Sequence, residues 1–151
     1  MNAILNISDE DYEHPLPQKD YLQKVVDACF ENHISEHLIE LGVTNVTTAV
    51  ITEVNFQYRK KNKATNVLSF IIDEPVDDHH YLGDVLCCGA VIEDEAREAK
   101  LDLLAHWTHM IIHSCLHLQG HTHDDDATEA TMQAREVALL KHFGIQNPYT
   151  G

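Results

Sequence analysis

"DLLAHWTHMIIHSCLHLQGHTH", residues 102–123, is the stretch from which the rest of the chain is read. Asp102 is a residue type that caps helix N-termini, its side chain accepting from the first free N–H groups. The run after it is predominantly apolar and predicts a long, largely buried helix. Gly120 then lets the chain leave the helix. His113 and His117 lie four residues apart, and at roughly 100° per residue they share one face, one turn above the other. A turn after Gly120 swings His123 back toward the same spot, so the pattern is HxxxHxxGxxH.

Working outward, "EDEAREAK" before this helix is acidic and helical, starting from Val91. Upstream lie three β-rich runs: "AILNI" (3–7), "TNVLSFII" (65–72) and "GDVLCCGA" (83–90), the last entered through Gly83. "DEPVDDHH", with Pro75, reads as an acidic loop. Apolar spacing of Tyr21, Leu22, Val25, Val26, Cys29, Phe30 and His33 or Ile34 predicts a helix that continues to about Leu41 and stops at Gly42. "VTNVTTAVITEV" (43–54) is dense in β-branched residues and reads as a strand, with one or two helical turns in "NFQYRKK" after it. A last helix is expected from the "DDD" at 124–126 to about Phe143, closed by Gly144. Strands and helices without regular alternation predict an α+β fold: a small mixed β-sheet packed with several helices, with a metal site on the long helix and the turn after it.

The chain has 151 residues, of which 44% are hydrophobic, enough for one domain, residues 1–151, with its own core. It holds no apolar run of about 18 residues, and its N-terminus lacks the order of a secretory signal, so a cytoplasmic protein without membrane contact is expected. Cys29, Cys87, Cys88 and Cys115 show no CxxC spacing and are expected as reduced, mostly buried thiols, with Cys87 and Cys88 facing opposite sides of a strand. A formal net charge of -15 opposes any general electrostatic grip on nucleic acid. The ten basic residues are nevertheless uneven, because Arg59, Lys60, Lys61 and Lys63 fall together in "RKKNK". That run is either a local basic strip or a solvated loop.

A pair of histidines at i and i+4 is commonly mere helix surface. The glycine hinge and the third histidine make His113, His117 and His123 a metal ligand set. Three protein ligands leave a coordination position open, as in catalytic zinc sites, and neutral ligands leave the ion its full charge as a Lewis acid. His109 with His113, or His117 with His121, are alternative pairings; His109 reads as a core or supporting residue and His121 as a residue of the rim. Cys115 lies about 200° round the helix from His113 and reads as packing. The spacing equals that of the metzincin peptidases, HExxHxxGxxH, whose glutamate is the general base. Here that position is Ser114, which cannot take up a proton as a carboxylate does.

These residues resemble the YbeY endoribonucleases, bacterial metal-dependent proteins of ribosomal RNA maturation. The family's HGxLHLxGYDH segment is matched at His113, Leu116, His117, Leu118, Gly120 and His123. "YRKKNKATNVLSF" matches an arginine-containing segment leading into a TDVLSF-like strand, at Tyr58, Arg59, Thr65, Val67, Leu68, Ser69 and Phe70. "LGD" (Leu82, Gly83, Asp84) follows in order, and "FGIQNPY" resembles the family's final helix end. The resemblance implies that His113, His117 and His123 bind one zinc ion and that Arg59 is the catalytic or RNA-binding arginine. Arg59 would hold a phosphate oxygen and stabilise the extra negative charge of the transition state. Lys60, Lys61 and Lys63 would then track the backbone of single-stranded RNA. Thr65, Asn66 and Ser69 either line the same cleft or cap the strand, and Asp84 is a supporting or structural residue. Departures from the family pattern are Ser114 for glycine, His121 for tyrosine, Thr122 for aspartate and Asn66 for aspartate; the third removes a carboxylate from beside the ligands.

Three functions follow. The first is a zinc-dependent, single-strand-specific endoribonuclease of ribosomal RNA processing, with the small ribosomal subunit or a ribosomal protein as partner. The second is a non-catalytic, metal-containing ribosome assembly factor. The third is a metallopeptidase with another base. The acidic surface would suit a basic protein partner.

Overall fold

The structure is a computed structural model and describes residues 2–33 and 37–149. Among these residues the element order is β1 (Ala3–Asp9), α1 (Lys19–Cys29), β2 (Leu38–Asn45), α2 (Thr48–Arg59), β3 (Val67–Val76), β4 (His79–Cys87), α3 (Gly89–Ala99), α4 (Leu103–Leu118) and α5 (Asp126–His142). The four strands form one sheet in the order β1-β2-β4-β3. β1 and β4 run parallel to β2, and β3 is antiparallel to β4 on the open edge. The expected α+β class with a mixed sheet is therefore the observed one.

The long helix is where the opening stretch predicts it. Asp102 caps it, its Oδ2 accepting from the Ala105 N–H at 3.0 Å. Nine of its residues are buried, from Trp107 to Leu118, because α4 runs through the main core. That core fills the space between one face of the sheet and α1, α4 and α5. A smaller one, built on Val46, Ile51, Leu68 and Cys88, lies under α2. Cys87 belongs to the first core and Cys88 to the second, so the two thiols do face opposite ways; all four cysteines are free and buried. α5 starts with a capping box between Asp125 and Thr128 and ends at Phe143, with Gly144 at φ +74°.

Several boundaries differ from the sequence reading. The first helix ends at Cys29 rather than near Leu41, and Ile34 lies outside the described residues. Its buried stripe is Leu22, Val25, Val26 and Cys29. The next apolar residues, Ile39, Leu41 and Val43, are buried at every second position, the period of a strand. Gly42 is therefore no helix stop; it lies within β2, where a Cβ would come within 2.6 Å of Asp84 Oδ1. The β-branched run 43–54 is mostly the helix α2, capped by the Thr47 side chain accepting from the Val50 N–H. β-Propensity spans only about 1 kcal/mol, and burial of Ile51 and Asn55 one turn apart outweighs it. The turns expected in "NFQYRKK" are the end of this same helix.

The acidic loop "DEPVDDHH" is instead the end of a β3–β4 hairpin. Val76 pairs with His79 across Asp77 and Asp78, and Asp77 has φ +55°, a conformation aspartate tolerates in tight turns. An irregularity between Ile71 and Glu74 lets Pro75 sit on this edge strand. "GDVLCCGA" gives up its last residues to α3, which begins at Gly89.

Candidate metal centre

α4 carries His113 and His117 to the surface of the core on one face, as their spacing requires. The helix ends through a Gln119 cap. Gly120 then takes φ +96°, open to glycine and costly for other residues, and the chain turns back. The His121 N–H donates to the Leu116 carbonyl at 3.0 Å, which locks the turn. His123 is thereby returned to the other two: ligand atoms of His113, His117 and His123 all lie within 4.8 Å of one another.

The hydrogen bonds of these rings fix which nitrogen is free. His113 Nδ1–H donates to Glu136 Oε1 at 2.6 Å, and His117 Nδ1–H donates to the His121 carbonyl at 2.9 Å. Both Nε2 atoms consequently carry lone pairs, and they face each other at 3.1 Å. Two lone pairs at that distance repel unless a cation lies between them. The separation is also near the roughly 3.3 Å expected for two nitrogens on a tetrahedral zinc ion. The donor set and its geometry fit a metal.

Behind the histidines stands a carboxylate that the sequence reading did not single out. Glu136, on α5, is fully buried. Burial works to raise its pKa, but hydrogen bonds from His109, His113 and Tyr149 overcome this and hold the carboxyl well below the usual range. Tyr149 donates to Glu136 Oε2, and its hydroxyl lies 3.2 Å from His109 Nε2. Burial and then the Glu136 carboxylate push the Tyr149 phenol above its ordinary value. His117 is held below the ordinary histidine value, first by burial and then by His113. The Thr122 departure therefore leaves the site with a supporting carboxylate from another helix. A signal for Glu136 existed: it falls in register with Met132, Leu139 and Leu140 on the buried stripe of α5, where an acid is out of place. Tyr149 lies beyond the last helix, where no periodicity points to it.

A cleft of about 540 Å³ opens over this centre. Its walls are the three histidines, His109, Met110 and Tyr149 on one side, and Arg59 with Thr65 to Ser69 and Ile71 on the other. Arg59 reaches it from the last turn of α2. Lys60, Lys61 and Lys63 do not line it; they are exposed on the turn that follows, where Lys60 adopts a left-handed backbone. Buried Asn55 pins that turn, its Nδ2 donating to the Lys63 carbonyl at 2.9 Å. Asn66 both lines the cleft and caps the strand: its Oδ1 accepts from the Val67 N–H, and its Nδ2 donates to Glu95. His109 lies against Glu136 and Tyr149, and the His121 carbonyl accepts from His117. Asp84 does not line the cleft and accepts from the Tyr81 hydroxyl. Ser114 is fully buried, its Oγ without a hydrogen-bond partner. Among the described residues that line the cleft there is no Asp or Glu to serve a peptidase as base.

Fold and site together define an α+β protein with a three-histidine, metal-competent cleft faced by an arginine. The family described as "Endoribonuclease YbeY" matches residues 6–144. The chain belongs to this YbeY endoribonuclease family. Proteins named Endoribonuclease YbeY from Francisella tularensis subsp. novicida (strain U112) and subsp. tularensis (strain WY96-3418) are each 38% identical over 153 residues, covering 98% of this chain and 93% of theirs. The solution structure of TM1509 from Thermotoga maritima shares the fold, with a TM-score of 0.64 and 22% identity over 91% of this chain and 87% of that one. No helix among the described residues is long and apolar enough to cross a membrane.

Proposed function

We propose that this chain is a zinc-dependent endoribonuclease that cuts single-stranded RNA in ribosomal RNA processing. It would act in the cytoplasm as one domain over residues 1–151, meeting its substrate on the small ribosomal subunit or with a ribosomal protein. The observation that carries the reading is the meeting of Arg59 with His113, His117 and His123 in one cleft, from elements far apart in the chain. A positive guanidinium opposite a metal-competent centre suits a phosphodiester better than a peptide bond.

In this reading His113, His117 and His123 hold the zinc ion, which when bound supplies a Lewis acid beside the scissile phosphate. Arg59 donates N–H groups to the phosphate oxygens, orients them and offsets the charge that grows in the transition state. Glu136 and the His121 carbonyl fix the tautomers and directions of His113 and His117. Lys60, Lys61 and Lys63 meet flanking phosphates outside the cleft, a weaker and salt-sensitive contribution.

Arg59→Ala tests this. Cleavage is expected to fall by about a hundredfold or more, while binding of the same RNA falls much less. Cleavage at the wild-type rate would remove Arg59 from the reaction. Loss of cleavage and binding by the same factor would make it a binding residue only.

A further inference from the structure

Tyr58 precedes Arg59 on α2, and its side chain is 68% exposed although it is large and aromatic. The ring is not loose, because it meets the ring of Phe70 edge-on, with centroids 5.2 Å apart and planes at 67°. Phe70 lies on β3 between Ser69 and Ile71, both of which line the cleft. Phe70 itself does not line the cleft and packs against the smaller core under α2. Tyr58 is thus a steadied, solvent-facing ring on the residue next to Arg59, which lines the histidine cleft. It is also joined to the one dense basic run of a chain with net charge -15: four of the ten Lys and Arg residues lie at 59–63.

A steadied aromatic face beside a local positive strip is the arrangement that binds single-stranded nucleic acid, phosphates on the cations and a base on the ring. We propose that Tyr58 stacks on a base flanking the phosphate held by Arg59, and that this contact makes the site prefer unpaired RNA. The inference rests on the ribonuclease reading above. Its logic is steric: a base inside a duplex has its faces covered by neighbours, and only an unpaired one turns out onto a side chain. The strand would run from the cleft over the β3 edge toward the lysines.

Tyr58→Leu keeps apolar bulk against Phe70 and removes the ring face, whereas Tyr58→Phe keeps the face. Both variants would be checked for wild-type thermal unfolding. The probe is a short unstructured RNA with 2-aminopurine at successive positions, whose fluorescence falls when the base stacks, beside a duplex of the same sequence. Wild type and Tyr58→Phe should quench it at one position. Tyr58→Leu should lose that quenching, weaken single-strand binding by roughly tenfold and leave duplex binding unchanged. In cleavage, KM should rise by a similar factor, with kcat within about twofold. Equal quenching and affinity in Tyr58→Leu, or equal losses on single strand and duplex, would overturn the proposal. Absence of cleavage by wild type, with the fluorescence difference intact, would overturn the nuclease reading and leave the stacking contact standing.

Discussion

His113 is held from behind by a carboxylate that lies 23 residues further along the chain. Glu136 accepts its Nδ1–H, which leaves the Nε2 lone pair free for an ion and raises its basicity. Glu136→Gln is expected to lower zinc affinity by about ten- to a hundredfold, measured by competition with a fluorescent chelator; unchanged affinity would show that the ring is oriented by packing alone. The three histidines and Arg59 were legible in the sequence because their spacing or their setting marks them. Glu136 was legible only as an acid on the apolar stripe of α5, not as the partner of His113, since that contact depends on how α5 lies on α4. The family's usual acid beside the third histidine is Thr122 here, and sequence alone left open what replaces it.

At the scale of elements, the strongest constraint is where the sheet meets the metal helix. Gly83 of β4 pairs with Ile71 of β3, and a Cβ there would lie 2.1 Å from the Phe70 carbonyl and 2.8 Å from Leu118 Cδ2. The carbonyl belongs to the sheet backbone and cannot step aside. Gly83→Ala should cost about 3 kcal/mol in urea unfolding, and an unaltered midpoint would contradict the register. The "LGD" triplet thus reads as packing at its glycine. Element identity was legible for α4 and α5, where caps and stripes agree, and for β1, β3 and β4. It was misread for residues 38–42, taken as helix, for 48–54, taken as strand, and for the acidic loop 73–80, which is the end of a hairpin. In the first two an apolar helix face runs on into an alternating strand, and a β-branched segment forms a helix because burying Ile51 and Asn55 together outweighs local preference. This misreading did not displace the site, since Arg59 falls on a helix end in either reading.

At the scale of the molecule, acid should act through the site's supports. Glu136 titrates below its ordinary 4.5 in the folded protein. Its contribution to stability is therefore complete above about pH 4.5 and is lost as pH falls through that value toward the folded pKa. His117, held below its ordinary 6.5, adds loss in the same direction, beginning nearer neutrality. Metal-free protein should accordingly lose unfolding free energy from about pH 6 downward, and Glu136→Gln should flatten the part below about pH 4.5. A flat profile in wild type would contradict the buried, ionised carboxylate. The net charge of -15 would keep RNA away from most of the surface, so productive contact is confined to the cleft and the 59–63 run.

That confinement makes the central claim testable in one comparison: cleavage of an unstructured RNA by wild-type protein and by His117→Ala protein purified in parallel. The account predicts that the wild type cuts and that His117→Ala, lacking a ligand, does not. Equal cutting by both would assign the activity to a contaminant and contradict the claim that this histidine cleft is a nuclease centre.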